Sequence, residues 1–336
     1  MDIYLANPRG FCAGVDRAIA VVEQALNQFG APVHVRHEIV HNPHVLNHLR
    51  ARGAVFVESL DEVPNGAVLI FSAHGTPADV EKAAQARGLR VFDGTCPLVT
   101  KVHLEIARHA RQGNSVIYIG HRGHAETLGS MGHFQGDGGS ECTGKIVLVQ
   151  NEEDARQVSV PDPERVACAT QTTLSVLDTE SVLAILRQRF PLLMEPPKAH
   201  ICYATDNRQR AMTELARRCD TILVLGAQNS SNSLRLVEVA LACGARAHLL
   251  SGVEAFDGSW LDGCEHLGIT AGASSPEDVL QALLAHLQYT FGPLPVREFG
   301  EVEHIVFRLP RGLQHERQAA PRRMLETAER GAPGHM

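Results

Sequence analysis

Along most of the chain a short apolar run gives way to a polar or glycine-bearing junction, and then to a stretch with helical spacing. Residues 3–6 form the first run. Residues 15–29 follow with Val15, Ala18, Ile19, Val22 and Leu26 on one helical face. Residues 33–40 read as the next strand, with Asn42 and Pro43 as N-cap and first residue of a helix. Residues 68–71 read as a strand ending in Ser72-Ala73-His74-Gly75-Thr76-Pro77, a cap followed by proline. A short strand over 89–92 precedes Cys96-Pro97 and a helix to about Arg111. Further strands are expected over 115–119, 146–149, 166–169, 221–225 and 267–270. Helices are expected from Ser175, from the Cys202 junction to about Arg218, from Asn232 to about Cys243, and after Ser275-Pro276. Strand and helix in strict alternation predict βαβ units and parallel sheet.

Residues 129–144 are glycine-rich and aperiodic and read as a loop, and residues 191–198 read as a proline-containing linker. After about Gly292 the rhythm stops, and the tail from Pro310 is expected to be disordered. The division that results is an α/β fold of three similar modules, 13–96, 97–196 and 197–290. Residues 1–12 pack near the third module, and 291–336 form a partly disordered C-terminal extension.

Composition narrows the function classes. The 336 residues are 44% hydrophobic and 21% charged, with a net charge of −7, which argues against general nucleic-acid binding. No apolar run reaches the roughly 20 residues of a membrane span. The first residues enter a strand without a basic, apolar leader. A cytoplasmic protein is therefore expected, with its eight cysteines reduced, catalytic or metal-bound rather than paired. Most of the 18 histidines, His133 and His315 among them, are expected at the surface.

Cys12, Cys96 and Cys202 share one setting, a strand-to-helix junction, one for each expected module. There the helix dipole and free backbone N–H groups favour a thiolate. Three thiolates can hold a tetrahedral zinc or a [4Fe–4S] cluster with one iron open. The absence of a C-x-x-C pair favours a centre assembled by the fold over a local clip. Cys168, Cys219 and Cys243 fall in strand or helix patterns and read as small buried apolar residues. Cys142 and Cys264 have no assigned role.

In open α/β sheets, ligands gather beyond the carboxyl ends of the strands. His41, His74, His124, Thr172, Ser230, Ser231, Asn232 and Ser274 all fall there. Singly each could be a helix cap; together they suit phosphate or diphosphate. Glu126, in the junction after His124, has the character of a general acid and equally of a surface glutamate. His34, His37, His44 and His48 are read as surface histidines, because Pro43 interrupts their helical spacing.

These motifs, in order, are Asn7-Pro8-Arg9-Gly10-Phe11-Cys12-Ala13-Gly14-Val15, Ser72-Ala73-His74-Gly75, Asp93-Gly94-Thr95-Cys96-Pro97, residues 120–126, Thr170-Gln171-Thr172-Thr173-Leu174-Ser175, Ile201-Cys202-Tyr203-Ala204-Thr205, Asn229-Ser230-Ser231-Asn232-Ser233 and Thr270-Ala271-Gly272-Ala273-Ser274. Together, over about residues 1–290, they resemble the 4-hydroxy-3-methylbut-2-enyl diphosphate reductases, the LytB/IspH family. The resemblance implies a trefoil of three α/β modules around a [4Fe–4S] cluster held by Cys12, Cys96 and Cys202. It implies reductive dehydroxylation of an allylic alcohol diphosphate to isopentenyl and dimethylallyl diphosphate, with the open iron binding the substrate hydroxyl. It further implies that His41, His74, His124, Ser230, Ser231, Asn232 and Ser274 take the diphosphate, that Glu126 donates a proton beside Thr172, and that a ferredoxin- or flavodoxin-like protein supplies electrons. The chain departs from the family pattern in three places. Its loop over 131–144 is long, Ala125 stands where a proline is common, and residues after 292 lie outside the family core. Two other readings stay open: an open-iron hydro-lyase without net redox, and a non-catalytic redox-sensing phosphate-binding protein.

Overall fold

A computed structural model of the chain describes residues 1–135, 144–196 and 200–313. In chain order, β1 (Asp2–Ala6) leads into α1 (Ala13–Phe29). β2 (Val33–Arg36), α2 (Pro43–Ala51), β3 (Ala54–Val57), β4 (Val68–Phe71), α3 (Ala78–Ala86) and β5 (Arg90–Asp93) follow. The next group is α4 (Pro97–Arg111), β6 (Ser115–Ile119), α5 (Ala125–Met131), β7 (Ile146–Val149), α6 (Glu152–Gln157), β8 (Val166–Thr170) and α7 (Val176–Arg189). The last is α8 (Tyr203–Ala216), β9 (Thr221–Leu225), α9 (Ser231–Ala242), β10 (Arg246–Leu250), β11 (His266–Ala271), α10 (Glu277–Phe291) and β12 (Val296–Phe299).

The strands form three sheets, ordered β3-β2-β4-β5, β7-β6-β8 and β10-β9-β11-β1-β12. Every ladder between these strands is parallel. One arrangement repeats in all three. A central strand (β2, β6, β9) has on one side the next strand in sequence (β3, β7, β10) and on the other the one after that (β4, β8, β11). The central strands are largely buried, β6 and β9 as mainly apolar rows and β2 with His34 between two valines, as parallel strands covered on both faces must be. Separate apolar cores form against the sheets. Val21, Val33, Val35, Leu49 and Ile70 belong to the first, Ile117, Val166, Leu183 and Leu186 to the second, and Leu223, Leu267, Leu280 and Leu287 to the third.

The strands over 115–119, 146–149 and 221–225 have the expected limits, and Asn42 caps α2 with Pro43 in its first turn, accepting from the N–H groups of His44 and Val45. Several details differ. The strand expected over 33–40 ends at Arg36, because His37 turns the chain with φ 58°. Pro77 and Pro276 occupy the N-cap positions themselves rather than the first helical position. Helix α5 carries the chain through Gly129 to Met131, where a loop was expected. An added Cβ at Gly129 would meet Gly75 C and O at 3.0 Å, so the missing side chain lets α5 pack directly on the 75–76 backbone. Of the expected loop over 131–144, residues 136–143 lie outside the described residues, as does Cys142. The same holds for 197–199 of the expected linker and for the tail after Leu313, His315 included.

The rhythm does not stop at Gly292. β12 pairs with β1 and extends the third sheet. Farther on, Leu309 packs against the first core and Leu313 is buried in it. Its apolar signal is weak because it is a four-residue edge strand with mostly exposed side chains, followed by irregular chain. Among the described residues, no helix is long and apolar enough to cross a membrane.

Candidate active site

The three cysteines occupy equivalent places. Cys12 is the N-cap of α1, Cys96 of α4 and Cys202 of α8. Each is fastened by its backbone N–H to the loop beyond a sheet strand. Cys96 N donates to Ala73 O at 3.0 Å, Cys202 N to Thr172 O at 3.1 Å, and Cys12 N to Ala273 O at 3.2 Å. Those acceptors follow β4, β8 and β11, so one sheet of each group contributes one anchor. The result is three helix starts aimed at one cavity of about 100 Å³, lined by all three cysteines.

Gly14 measures how tightly the sulfurs gather. A Cβ built there would lie 2.7 Å from Cys96 Sγ and 3.8 Å from Cys12 Sγ. Burial pushes the Cys12 thiol up, Cys96 to about 12 and Cys202 to about 11. The sulfurs feel one another: Cys12 and Cys202 both raise Cys96, and Cys12 raises Cys202. Opposing this are N–H groups of the helix starts, from Gly14 and Val15 at Cys12, Leu98 and Val99 at Cys96, and Thr205 at Cys202. Among the described residues, no three Cys, His, Asp or Glu groups converge tightly enough for a single metal ion. Soft sulfur donors spread around a shared volume, too buried to ionise without a positive partner, fit a polynuclear iron–sulfur core.

A second ring of helix starts faces the same cavity. His41 precedes the Asn42 cap of α2, His124 caps α5, and Ser230 caps α9. Each follows the central strand of its sheet. The rings of His41 and His74 stack with centroids 4.0 Å apart, and His124 stands edge-on to both, at 5.5 and 5.9 Å. Burial, and after it the neighbouring imidazoles, holds His74 well below its ordinary value and His124 at about 3. His124 Nδ1 accepts the Glu126 N–H at 3.1 Å, which fixes a neutral ring with its proton on Nε2. Both polar atoms of the buried Asn232 amide, and Nδ1 of His74, have no hydrogen-bond partner in the protein. Buried polar atoms without partners are costly, so this wall is built for a polar guest.

Ser274 Oγ donates to His41 O at 3.0 Å, tying the loop after β11 to the start of α2. Ser231 Oγ accepts from Thr173 Oγ1 at 3.1 Å, and Ser230 Oγ caps α9 through Ser233 N. All twelve site residues singled out in the sequence therefore line one cavity. Glu126 lies deepest among the acidic groups, 2% exposed. Its Oε1 accepts the Thr172 N–H at 2.6 Å and its Oε2 the Thr172 hydroxyl at 3.0 Å. Burial nevertheless lifts its carboxyl to about 7, against those two bonds.

The comparisons with known proteins agree with this layout. The family model described as LytB protein matches residues 3–288. The chain belongs to the LytB family. A relative from Stenotrophomonas maltophilia (strain K279a), named 4-hydroxy-3-methylbut-2-enyl diphosphate reductase, is 51% identical over 94% of this chain and 98% of its own length. One of the same name from Dechloromonas aromatica (strain RCB) is 51% identical over 93% of this chain and all of its own length. Among solved structures, the E-1-hydroxy-2-methyl-but-2-enyl-4-diphosphate reductase from Plasmodium falciparum superimposes with a TM-score of 0.85 at 35% identity, covering 92% of this chain and 95% of that one. The match to LytB proteins thus extends from sequence to the three-sheet architecture.

Some expectations for this LytB chain need correction. His34 is buried in β2 rather than at the surface. His133 stacks on the buried His103, with centroids 4.0 Å apart, and bonds Thr76 O. Cys243 is exposed at the end of α9, whereas Cys168 and Cys219 are buried as expected. Three residues were missed. Glu38 accepts from His41 Nδ1 and from Asn229 Nδ2, both at 2.8 Å. Gln171, wholly buried, links His121 N, Thr173 and Ser231. Arg208, buried in α8, reaches back to the Cys12 turn. Nothing in the sequence separates these from ordinary surface or helix residues. Beyond His41 and His124 the cavity opens into an outer one of about 670 Å³, lined by His37, His121, Arg122 and Arg235 among others.

Proposed function

We infer that this chain reduces 4-hydroxy-3-methylbut-2-enyl diphosphate to isopentenyl and dimethylallyl diphosphate, the terminal step of the non-mevalonate route to isoprenoids. The reaction consumes two electrons and two protons, breaks an allylic C–O bond and releases water. One observation carries the reading. A buried carboxyl held near neutrality, Glu126, shares a single cavity with three cysteine-capped helix starts and with a wall of imidazoles and an unpartnered amide.

In this reading Cys12, Cys96 and Cys202 hold a [4Fe–4S] cluster, one per chain. When bound, that group supplies electrons singly and a Lewis-acid iron for the allylic oxygen. His41, His74, His124, Ser230, Ser231, Asn232 and Ser274 receive the diphosphate, aided by the N-termini of α2 and α9. That end of the substrate does not react; its binding energy places the carbon that does. His124 donates from Nε2, since its Nδ1 is occupied by Glu126 N–H. Glu126 holds the proton that turns a poor leaving hydroxide into water. Its Oε1 is committed to Thr172 N–H, so the acid proton resides on Oε2; in that form Thr172 Oγ1, which donates to the carboxylate, accepts from Oε2–H instead. Thr172 thereby orients the acid and can pass a proton from its own hydroxyl into the cavity. Electrons come from a ferredoxin- or flavodoxin-like donor, and the chain works in the cytoplasm, where buried thiols stay reduced.

The test is anaerobic assay of purified chain with this diphosphate, with and without a one-electron reductant. Reductant-dependent formation of both products is expected. Water loss without reductant would instead establish a hydro-lyase, and iron without turnover a sensor.

A further inference from the structure

The segment after α10 was expected to lie outside the working fold, and the structure gives it a specific grip. Arg208 is 2% exposed, and it lies in α8, the helix that begins at Cys202. Its Nη2 donates to Gly10 O at 2.8 Å and to Phe11 O at 3.5 Å, the two carbonyls before Cys12. Its Nη1 donates to Ala204 O at 3.0 Å and to Glu303 Oε2 at 2.9 Å. The other Glu303 oxygen accepts from Asn207 Nδ2 at 2.9 Å. One guanidinium thus joins the helix of Cys202 to the turn of Cys12, and a carboxylate from the C-terminal segment balances its charge. A buried guanidinium without that carboxylate would be strongly destabilising.

The segment is tied down on both sides of Glu303. Upstream, β12 lies along β1, Asn7 N donates to Phe299 O at 2.9 Å, and Arg9 pairs with Glu298 at 3.3 Å. Downstream, Arg17 Nε of α1 donates to Arg308 O at 2.8 Å, and Leu313 is buried in the first core. The chain therefore crosses from the third sheet, past the Cys12 turn, to the helix that Cys12 caps.

We propose that Arg208 and Glu303 are positioning residues for the Cys12 turn, and that residues 296–313 form a strap keeping that turn in register with Cys202. The proposal rests on reading Cys12 as a thiolate donor to an iron–sulfur core. Arg208 fixes two successive carbonyls from a rigid helix, so the direction of Cys12 Sγ follows α8. Glu303 fixes Arg208, so the register of the centre depends on residues far from it in sequence.

The experiment uses full-length Glu303→Lys and Glu303→Gln, prepared anaerobically with their iron. Hydrogen exchange is followed by mass spectrometry over residues 7–15, with the strands at 33–36 and 68–71 as internal controls. The paramagnetic resonance spectrum of the reduced protein and the split between kcat and KM are recorded alongside. Glu303→Lys sets two cations together, and exchange over 7–15 should rise about ten-fold or more while the control strands keep theirs. The spectrum should change, and kcat should fall with KM nearly unmoved, since the diphosphate residues are on other loops. Glu303→Gln keeps an oxygen acceptor and should restore much of each property. Unchanged exchange over 7–15 and an unchanged spectrum in Glu303→Lys would overturn the proposal. If the Lys variant loses protection in the control strands it has not folded, and Glu303→Gln then decides: modestly faster exchange over 7–15 supports the strap, wild-type exchange refutes it. If the unaltered chain holds no iron, the cluster reading fails on its own, and the exchange comparison still decides the strap.

Discussion

Glu126 Oε1 accepts the backbone N–H of Thr172 at 2.6 Å while its Oε2 takes the hydroxyl of the same residue at 3.0 Å. One residue of the loop after β8 thus grips both oxygens of an acid at the start of α5. The two contacts favour the carboxylate, yet burial outweighs them and holds the group at about 7. The proton is thereby kept available near neutrality.

A pH dependence follows from that balance. The acid form of Glu126 is depleted as pH rises through about 7, so kcat/KM should fall on the alkaline side. Glu126→Gln should bind substrate, lose roughly 10²–10⁴-fold in rate, and lose that limb of the profile. Stability carries the same sign. The folded value lies above the ordinary 4.5, so the contribution is complete below about 4.5 and is lost as pH rises through about 7. Urea titrations at pH 5 and 8 should show a smaller loss in the Gln variant.

The imidazole wall should take up protons when it meets an anion. His74 and His124 are held neutral by burial and, after it, by neighbouring imidazoles, His41 foremost, and a diphosphate placed among them reverses the sign of the local field. Calorimetry of inorganic pyrophosphate binding near pH 7, in buffers of differing ionisation enthalpy, should show net proton uptake. Affinity should weaken as pH rises from 6 to 8. Proton release on binding would remove these rings from the anion site.

Each of Cys12→Ser, Cys96→Ser and Cys202→Ser should lose most of its iron while keeping native hydrogen exchange in the sheets. Iron and sulfide analysis of anaerobic preparations provides the check. A full complement in any one of them would strike that residue from the donor set.

Gly14→Ala separates packing at the centre from stability of the helix. Alanine favours an α-helix over glycine, by up to about 1 kcal/mol in a helix interior, and Gly14 is the second residue of α1. The added methyl, however, would sit 2.7 Å from Cys96 Sγ. The variant should fold at least as well as the parent and yet fail to retain iron. Normal iron with normal activity would show that the sulfurs have room to move.

The C-terminal boundary can be located by truncation. Pro310, where the dispensable tail was expected to begin, precedes the buried Leu313. Ending the chain at Leu313 should leave stability unchanged. Ending it at Pro310 exposes the pocket of a leucine, whose full burial is worth about 1.5–3 kcal/mol, and should lower the urea midpoint. Equal midpoints would mean that Leu313 contributes nothing.

Much of this molecule was legible because its determinants are local. Short apolar runs and the Asn42-Pro43 cap depend on residues within one turn or one strand of each other, and so do the strand-to-helix junctions at Cys12, Cys96 and Cys202. These favour secondary structure locally, and their alternation along the chain points to parallel pairing. The same locality explains the mistakes. Pro276 stands at the N-cap of its helix while the preceding hydroxyl, Ser275 Oγ, is spent on Leu225 O of a distant strand. Gly129 lies within α5 because its missing side chain lets the helix pack on the 75–76 backbone, a contact with a segment far away in sequence. β12 forms because β1 offers it an edge.

The sequence by itself determined which residue types stand at the carboxyl ends of the strands: thiols, imidazoles, hydroxyls, one amide and one acid. Only the tertiary structure decided that they share a cavity, that Glu126 is buried enough to hold a proton near neutrality, and that Arg208 bridges Glu303 to the carbonyls before Cys12. The reason is physical. Local propensity is set by backbone and near-neighbour sterics, whereas desolvation, mutual repulsion of imidazoles and charge balance across the fold exist only once distant segments are packed against one another.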